Sequence, residues 1–213
     1  LLLDTRGGRN GFSLEVVAEL MFISELHNIF KSDGLRFPGV PAAGATLWER
    51  VPVDDPTPAG FLRSIEQGQL AVWRTFLDAG VGVDYRFESG RTPLIVAAAS
   101  GQLEAVRLLI EREARIDLQE DGKYTALHWA AYYNDEQVTA ALLAAGAAVN
   151  VMQHTGDTPL ALAVTRGHRE AARLLLEHGA DPNLAGNNGK PLATAQRAND
   201  PEMVALLQRF GAH

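Results

Sequence analysis

The residues that could do chemistry are few. Six histidines and 26 acidic side chains stand in a chain of 213 residues with no cysteine. Thiolate zinc sites, disulfides and cysteine nucleophiles are therefore excluded. A catalytic zinc would need ligands at helical spacing, such as two histidines four apart on one helix face. His27, His154 and His213 have no partner at such a spacing, and no His-Glu-x-x-His occurs. No Gly-x-Ser-x-Gly turn presents a nucleophile. Asp54-Asp55 and Glu111/Glu113 are acidic pairs of the kind that stay solvated on a surface. Gly7-Gly8-Arg9-Asn10-Gly11 lacks the Lys-Ser/Thr ending and the preceding strand of a phosphate loop, and reads as a turn. No catalytic residue, metal or cofactor is assigned, and the chain is expected not to be an enzyme.

Charge narrows the partners. The formal net charge is −7: about −3 up to residue 60 (8 acidic against 5 basic) and −4 beyond it (18 against 14). No run of Lys and Arg offers the basic stripe that neutralises phosphates, so neither nucleic acid nor an anionic membrane is expected. The balance suits a basic protein partner, or simply keeps the chain in solution. The longest apolar run falls far short of the roughly 20 residues that cross a bilayer. A cytoplasmic chain is expected, with a leader trimmed before Leu1 left open.

The elements that position these residues repeat. Phe61, Leu94, Leu127, Leu160 and Leu192 are spaced by 33, 33, 33 and 32. The same spacings relate Gly68, Gly101, Asn134, Gly167 and Asn199, then Phe76, Leu109, Leu142, Leu175 and Leu207, then Gly80, Glu113, Gly146, Gly179 and Gly211. The leucines open short Ala-rich helices, such as 94–100 and 127–133, whose small side chains let neighbours approach. The first Gly/Asn series supplies the left-handed residue that ends them. A second helix follows, such as 103–112 or 170–178, and stops at the second Gly series. Glu113 interrupts that series and should cost about 1 kcal/mol or more. An extended stretch (Val83-Asp84, Ile116-Asp117, Val149-Asn150, Pro182-Asn183) and a Gly-containing turn lead to the next unit. Two antiparallel helices cannot bury their apolar face alone, so the units must stack.

These residues resemble the ankyrin repeat. Thr92-Pro93-Leu94 and Thr158-Pro159-Leu160 are similar to the family's Thr-Pro-Leu opening, and Thr125-Ala126-Leu127-His128-Trp129-Ala130-Ala131 to its longer form with Ala for Pro. Gly179-Ala180-Asp181-Pro182-Asn183 is similar to its exit. The first unit lacks Thr-Pro-Leu, and the Gly122–Thr125 spacing, which spans Lys123 and Tyr124, gives the third one extra residue in its turn. The resemblance implies an all-α, ankyrin-like solenoid of five helix-turn-helix units over residues 56–213, at about 56–88, 89–120, 121–154, 155–187 and 188–213. It implies structural roles for His128, which would bond internally, and for His168 and His178. Gln196 and Gln208 replace the apolar Val164 and Leu176 of the preceding unit, which suits a C-terminal cap. Phe61, Ile65, Trp73 and Phe76 leave the first unit without a polar face, so something should cover it.

Residues 1–55 belong to no recognised family. Ser13 is an N-cap candidate, and the apolar residues from Leu14 to Phe30 go almost all the way round a helix. The expectation is a helical N-terminal extension acting as a cap on unit one, followed by an irregular linker rich in proline and glycine. The alternative is a dimer interface through residues 13–30; a monomer is otherwise expected.

In the resembling family the turns project and the first helices line a concave surface. The implied partner-binding residues are Arg91, Lys123, Tyr124, Trp129, Tyr132, Tyr133, Asp157 and Arg166. Unit three stands out, with three of the four tyrosines and one of three tryptophans. Such side chains dominate binding energy when exposed. The competing reading is that Trp129 and one tyrosine pack against adjacent helices. The expected function is a non-catalytic protein–protein interaction module: an adaptor, an inhibitor or an immunity-type binder. The alternatives are a regulatory interaction fragment of a larger protein, and an enzyme with a site between residues 1–55 and unit one.

Overall fold

The computed structural model describes Asp54 and residues 57–213. The expected N-terminal cap, the linker and the dimer face at 13–30 lie outside the described residues. Ten helices form five pairs among the described residues: α1 (Pro58–Glu66) and α2 (Leu70–Asp78), α3 (Pro93–Ala99) and α4 (Leu103–Glu111), α5 (Ala126–Tyr133) and α6 (Glu136–Ala144), α7 (Pro159–Arg166) and α8 (Arg169–Glu177), α9 (Pro191–Arg197) and α10 (Pro201–Arg209). The first helices α1, α3, α5, α7 and α9 pack in sequence order, as do the second helices α4, α6, α8 and α10. The fold is an all-α solenoid of ankyrin-like units.

Local chemistry explains each helix end. The hydroxyls of Thr57, Thr92, Thr125 and Thr158 accept from the backbone N–H three residues on, the bond an N-cap exists to make. Proline at the next position suits the first turn in three of the four. The first unit, without Thr-Pro-Leu, opens on Thr57-Pro58, two residues early against the repeat. Asn134, Gly167 and Asn199 end first helices at φ 57°, 74° and 54°, the left-handed region that the Gly/Asn series predicts.

Packing follows the two leucine registers. Leu94, Leu109, Leu127, Leu142, Leu160, Leu175 and Leu207 are at most 1% exposed. Each such burial stabilises by about 1.5–3 kcal/mol. Phe61 and Phe76 hold the same registers in unit one, with ring centroids 5.0 Å apart, and Phe61 meets Phe87 at 5.7 Å. Phe61, Ile65, Trp73 and Phe76 are therefore buried side chains, like Leu94, Ala98, Val106 and Leu109 one unit later. At the other end, Gln196 and Gln208 are exposed, whereas Val164 and Leu176 are buried.

Two expectations need correction. The third unit has no extra residue: Lys123 falls in register with Gly90, Gly156 and Gly189, and all four have φ between 62° and 92°. A lysine simply takes the left-handed position. The stretches after the second helices are turns, not extended segments. The reason is a ladder of side-chain bonds between units. Asp84 accepts from the backbone N–H of Arg115 at 3.0 Å, Asp117 from Ala148 at 2.9 Å, Asn150 from Asp181 at 2.9 Å and Asn183 from His213 at 3.0 Å. Each side chain must turn toward the following unit to reach its partner.

Candidate partner-binding surface

The surface is built on α5, and His128 anchors it. The imidazole is buried at the start of the helix. Its Nδ1 accepts the backbone N–H of Thr125 at 3.1 Å, so the ring is neutral and Nε2 carries the proton. Nε2 then donates to the carbonyl of Asp157, 3.3 Å away in the next turn. Burial pushes the pKa down to about 4, against the carbonyls of Asp157 and Val151, which favour the charged form. His128 is thus a capping residue that ties unit three to unit four. At the far end of α5, Nε2 of His168 donates to the carbonyl of Tyr132 at 3.0 Å. Partial burial and then the nearby Arg166 hold His168 below the ordinary histidine range.

Between these anchors four aromatic rings form one continuous cluster. Tyr124 stacks on Trp129 at 5.0 Å, and Trp129 stacks on Tyr133 at 6.0 Å with 19° between planes. Tyr132 meets Trp129 edge-on at 5.8 Å and Tyr133 at 5.0 Å. These distances and tilts are the favoured aromatic geometries. Two cations bracket the cluster. The Arg91 guanidinium lies 4.9 Å from the Trp129 centroid, and that of Arg166 lies 3.8 Å from Tyr132. Arg91 is also fixed by Glu120 at 2.8 Å. Tyr133 is 56% exposed, Trp129 and Tyr132 are half-buried, and Lys123 projects from the adjoining turn. The Trp129 indole N–H has no partner.

Six of the eight residues named from the sequence thus gather in one place: Arg91, Tyr124, Trp129, Tyr132, Tyr133 and Arg166. Lys123 stands beside them. Asp157 does not join: it is 7% exposed and its carboxylate is occupied internally. One oxygen accepts the backbone N–H of Asn187 at 2.7 Å, the other accepts from Gln153 at 3.1 Å and Thr155 at 3.2 Å. Asp157 braces the turns. Among the described residues, no three His, Cys, Asp or Glu side chains gather as metal ligands would. No helix among them is long and apolar enough to cross a membrane.

A family model of ankyrin repeats in three copies matches residues 61–153 and again 127–213. The chain belongs to the ankyrin-repeat family. Over 149 residues it is 36% identical to a protein of Treponema pallidum (strain Nichols) named as ankyrin repeat-containing, a match covering 69% of this chain and 50% of that one. It is 34% identical over 144 residues to the ankyrin repeat and KH domain-containing protein mask-1 of Caenorhabditis elegans, covering 66% of this chain and 6% of that protein. A match of 31% over 143 residues links it to calmodulin-binding transcription activator 3 of Arabidopsis thaliana, covering 63% and 14%. The chain therefore spans half or less of the length of these relatives. Ankyrin repeats are interaction modules that bind other proteins, and the family is generally non-catalytic. What the sequence left hidden in this ankyrin stack is the stitching. The turn residues Ser89 and Gly122 accept backbone N–H groups of the next turn, from Asp121 at 3.3 Å and His154 at 3.0 Å, and only Asp157 makes the equivalent bond with its side chain.

Proposed function

We propose that this chain binds a partner protein through the α5 aromatic cluster, with Tyr124, Trp129, Tyr132 and Tyr133 as the contact and Arg91, Arg166 and Lys123 at its edges. It acts as an adaptor or an inhibitor and performs no catalysis. The observation that carries this reading is the exposure of Tyr133 on top of a pre-stacked, cation-bracketed ring system. Exposed tyrosine and tryptophan held rigid by their neighbours lose little freedom on docking, which is what makes them strong contact residues. Lys123 supports the reading: a left-handed lysine replaces a glycine at the turn beside the cluster, so a charged side chain projects at a conformational cost. Exposed carboxylates at Glu104, Glu111, Glu136, Glu170, Glu177 and Glu202 on the second helices favour a protein over a nucleic acid.

The test is affinity capture from the source cell, with Tyr132→Ala/Tyr133→Ala as the comparison. A stoichiometric partner held by the unaltered chain and lost by the variant, with melting and helicity unchanged, is the expected result. Retention of that partner by the variant would remove the cluster as the contact.

A further inference from the structure

We infer that the segment seated on this surface is acidic: a peptide that places an apolar side chain on the aromatic cluster and carboxylates at Arg166 and Arg197. The inference rests on the aromatic-surface reading and adds the partner's chemistry to it. It also runs opposite to the whole-chain charge.

From the second unit onward the two rows of helices differ in charge. The first helices α3, α5, α7 and α9 contain no aspartate or glutamate, and their ionised side chains are Arg166 and Arg197. The second helices α4, α6, α8 and α10 carry Glu104, Glu111, Glu136, Glu170, Glu177 and Glu202. On that side Arg209 lies over the Phe210 ring and the other arginines are occupied. Arg107 pairs with Glu104, Arg169 with Asp200 and Glu202, and Arg173 with Glu170 and Glu177.

Arg166 and Arg197 hold no carboxylate among the described residues. Arg166 rests on the Tyr132 ring. Arg197 donates to neutral oxygens, those of Asn188, Thr194 and Ala193. Both are exposed and both end helices that pack side by side, α7 and α9. Of the acids near the cluster in sequence, Asp135 caps α6 by accepting the backbone N–H of Val138, and Glu136 lies in the first turn of α6. Glu120 is paired to Arg91, Asp157 is buried among donors, and Asp121 shares its turn with Lys123. A segment crossing from α5 to α9 therefore meets exposed tyrosine first and two unpaired guanidinium groups next. A guanidinium without an anion, beside an aromatic face, is complementary to a carboxylate and forms charge-assisted bonds with it.

Selection of random displayed peptides against the 213-residue chain tests this. The expected winners combine an apolar or aromatic residue with two or more carboxylates, and bind more weakly as salt rises. Arg166→Gln/Arg197→Gln should weaken them by roughly tenfold, with melting unchanged. Arg166→Glu/Arg197→Glu should turn the selection toward Lys- and Arg-bearing peptides. Neutral or basic winners on the unaltered chain, no winners at all, or acidic winners indifferent to Arg166→Gln/Arg197→Gln overturn the inference. Tyr132→Ala/Tyr133→Ala separates the two levels. Winners that are not acidic but still need the tyrosines leave the aromatic surface standing and remove only its acidic ligand. Acidic winners that need the arginines and ignore the tyrosines remove the aromatic surface.

Discussion

Asp157 accepts the backbone N–H of Asn187 at 2.7 Å, across the boundary between the fourth and fifth units. Its second oxygen holds Gln153 and Thr155. Replacing it with alanine strands the buried Gln153 amide and removes the tie to Asn187. Asp157→Ala should therefore destabilise the chain by about 1–3 kcal/mol. Hydrogen exchange should show the loss concentrated in α9 and α10, with urea unfolding giving its size. Gly186→Ala should act in the same direction, because an added methyl would overlap the Asp157 carboxylate.

Stability should fall in mild acid because of His128. Its unfolded pKa is near 6.5 and its folded value about 4. Between these the unfolded chain binds a proton that the folded chain lacks, so stability rises with pH. The contribution is complete above about pH 6.5, declines as pH falls, and levels off below about pH 4, a change of up to about 3 kcal/mol. His168 is shifted in the same direction and adds to the slope. The carboxyl of Asp200, held low chiefly by its hydrogen bond from Arg169, loses its contribution only below the ordinary aspartate range. Urea unfolding against pH, with His128→Gln as control, checks this: the slope between these values should be much flatter in the variant.

Glu113 sits at φ 62° where its register mates are glycines at 87° to 98°. Glu113→Gly should stabilise by roughly 1 kcal/mol, the left-handed penalty less the extra freedom of an unfolded glycine. Gly146→Ala is the reciprocal test. Nothing lies within 4 Å of an added methyl there, so its cost reports backbone strain alone. Thermal melts of the two variants should move in opposite directions.

Asn150 uses both its amide oxygen and its amide nitrogen across the third and fourth units. It accepts from Asp181 N–H at 2.9 Å and donates to the Gly179 carbonyl at 3.3 Å. Asn150→Ala should cost about 1–2 kcal/mol. A double cycle with Asp117→Ala, one rung earlier, should be close to additive, because the rungs share no partner. Strong coupling between them in denaturant unfolding would contradict the ladder as drawn.

The helices were legible because one spacing controls everything local: threonine caps, leucine cores and left-handed stops recur at 33. The cluster was legible for the same reason, since Trp129, Tyr132 and Tyr133 share one short helix, and register alone put Arg91 and Arg166 in its flanks. Register failed where a side chain answers to the neighbouring unit. Asp157 is equivalent to Arg91 and Tyr124, yet it turns inward to reach Asn187, a contact that no pattern within one unit contains. Lys123 misled in another way, because glycine marks the left-handed residue so regularly that Gly122 looked like the marker. Phe61 and Trp73 hold the registers of Leu94 and Val106 and are buried as those are. Net charge says nothing of this arrangement, because it sums two helix rows of different character.

The rungs from Asp84, Asp117, Asn150 and Asn183 join each unit only to the one after it. Among the described residues no such strut spans two storeys. Under load or heat such a column yields from an end, since the outermost pair of helices has half the neighbours of an inner one. A ligand resting on α5 and α7 would clamp the middle and leave α10 as easy to peel as before. Proteases should then trim the bound and the free chain at the same place.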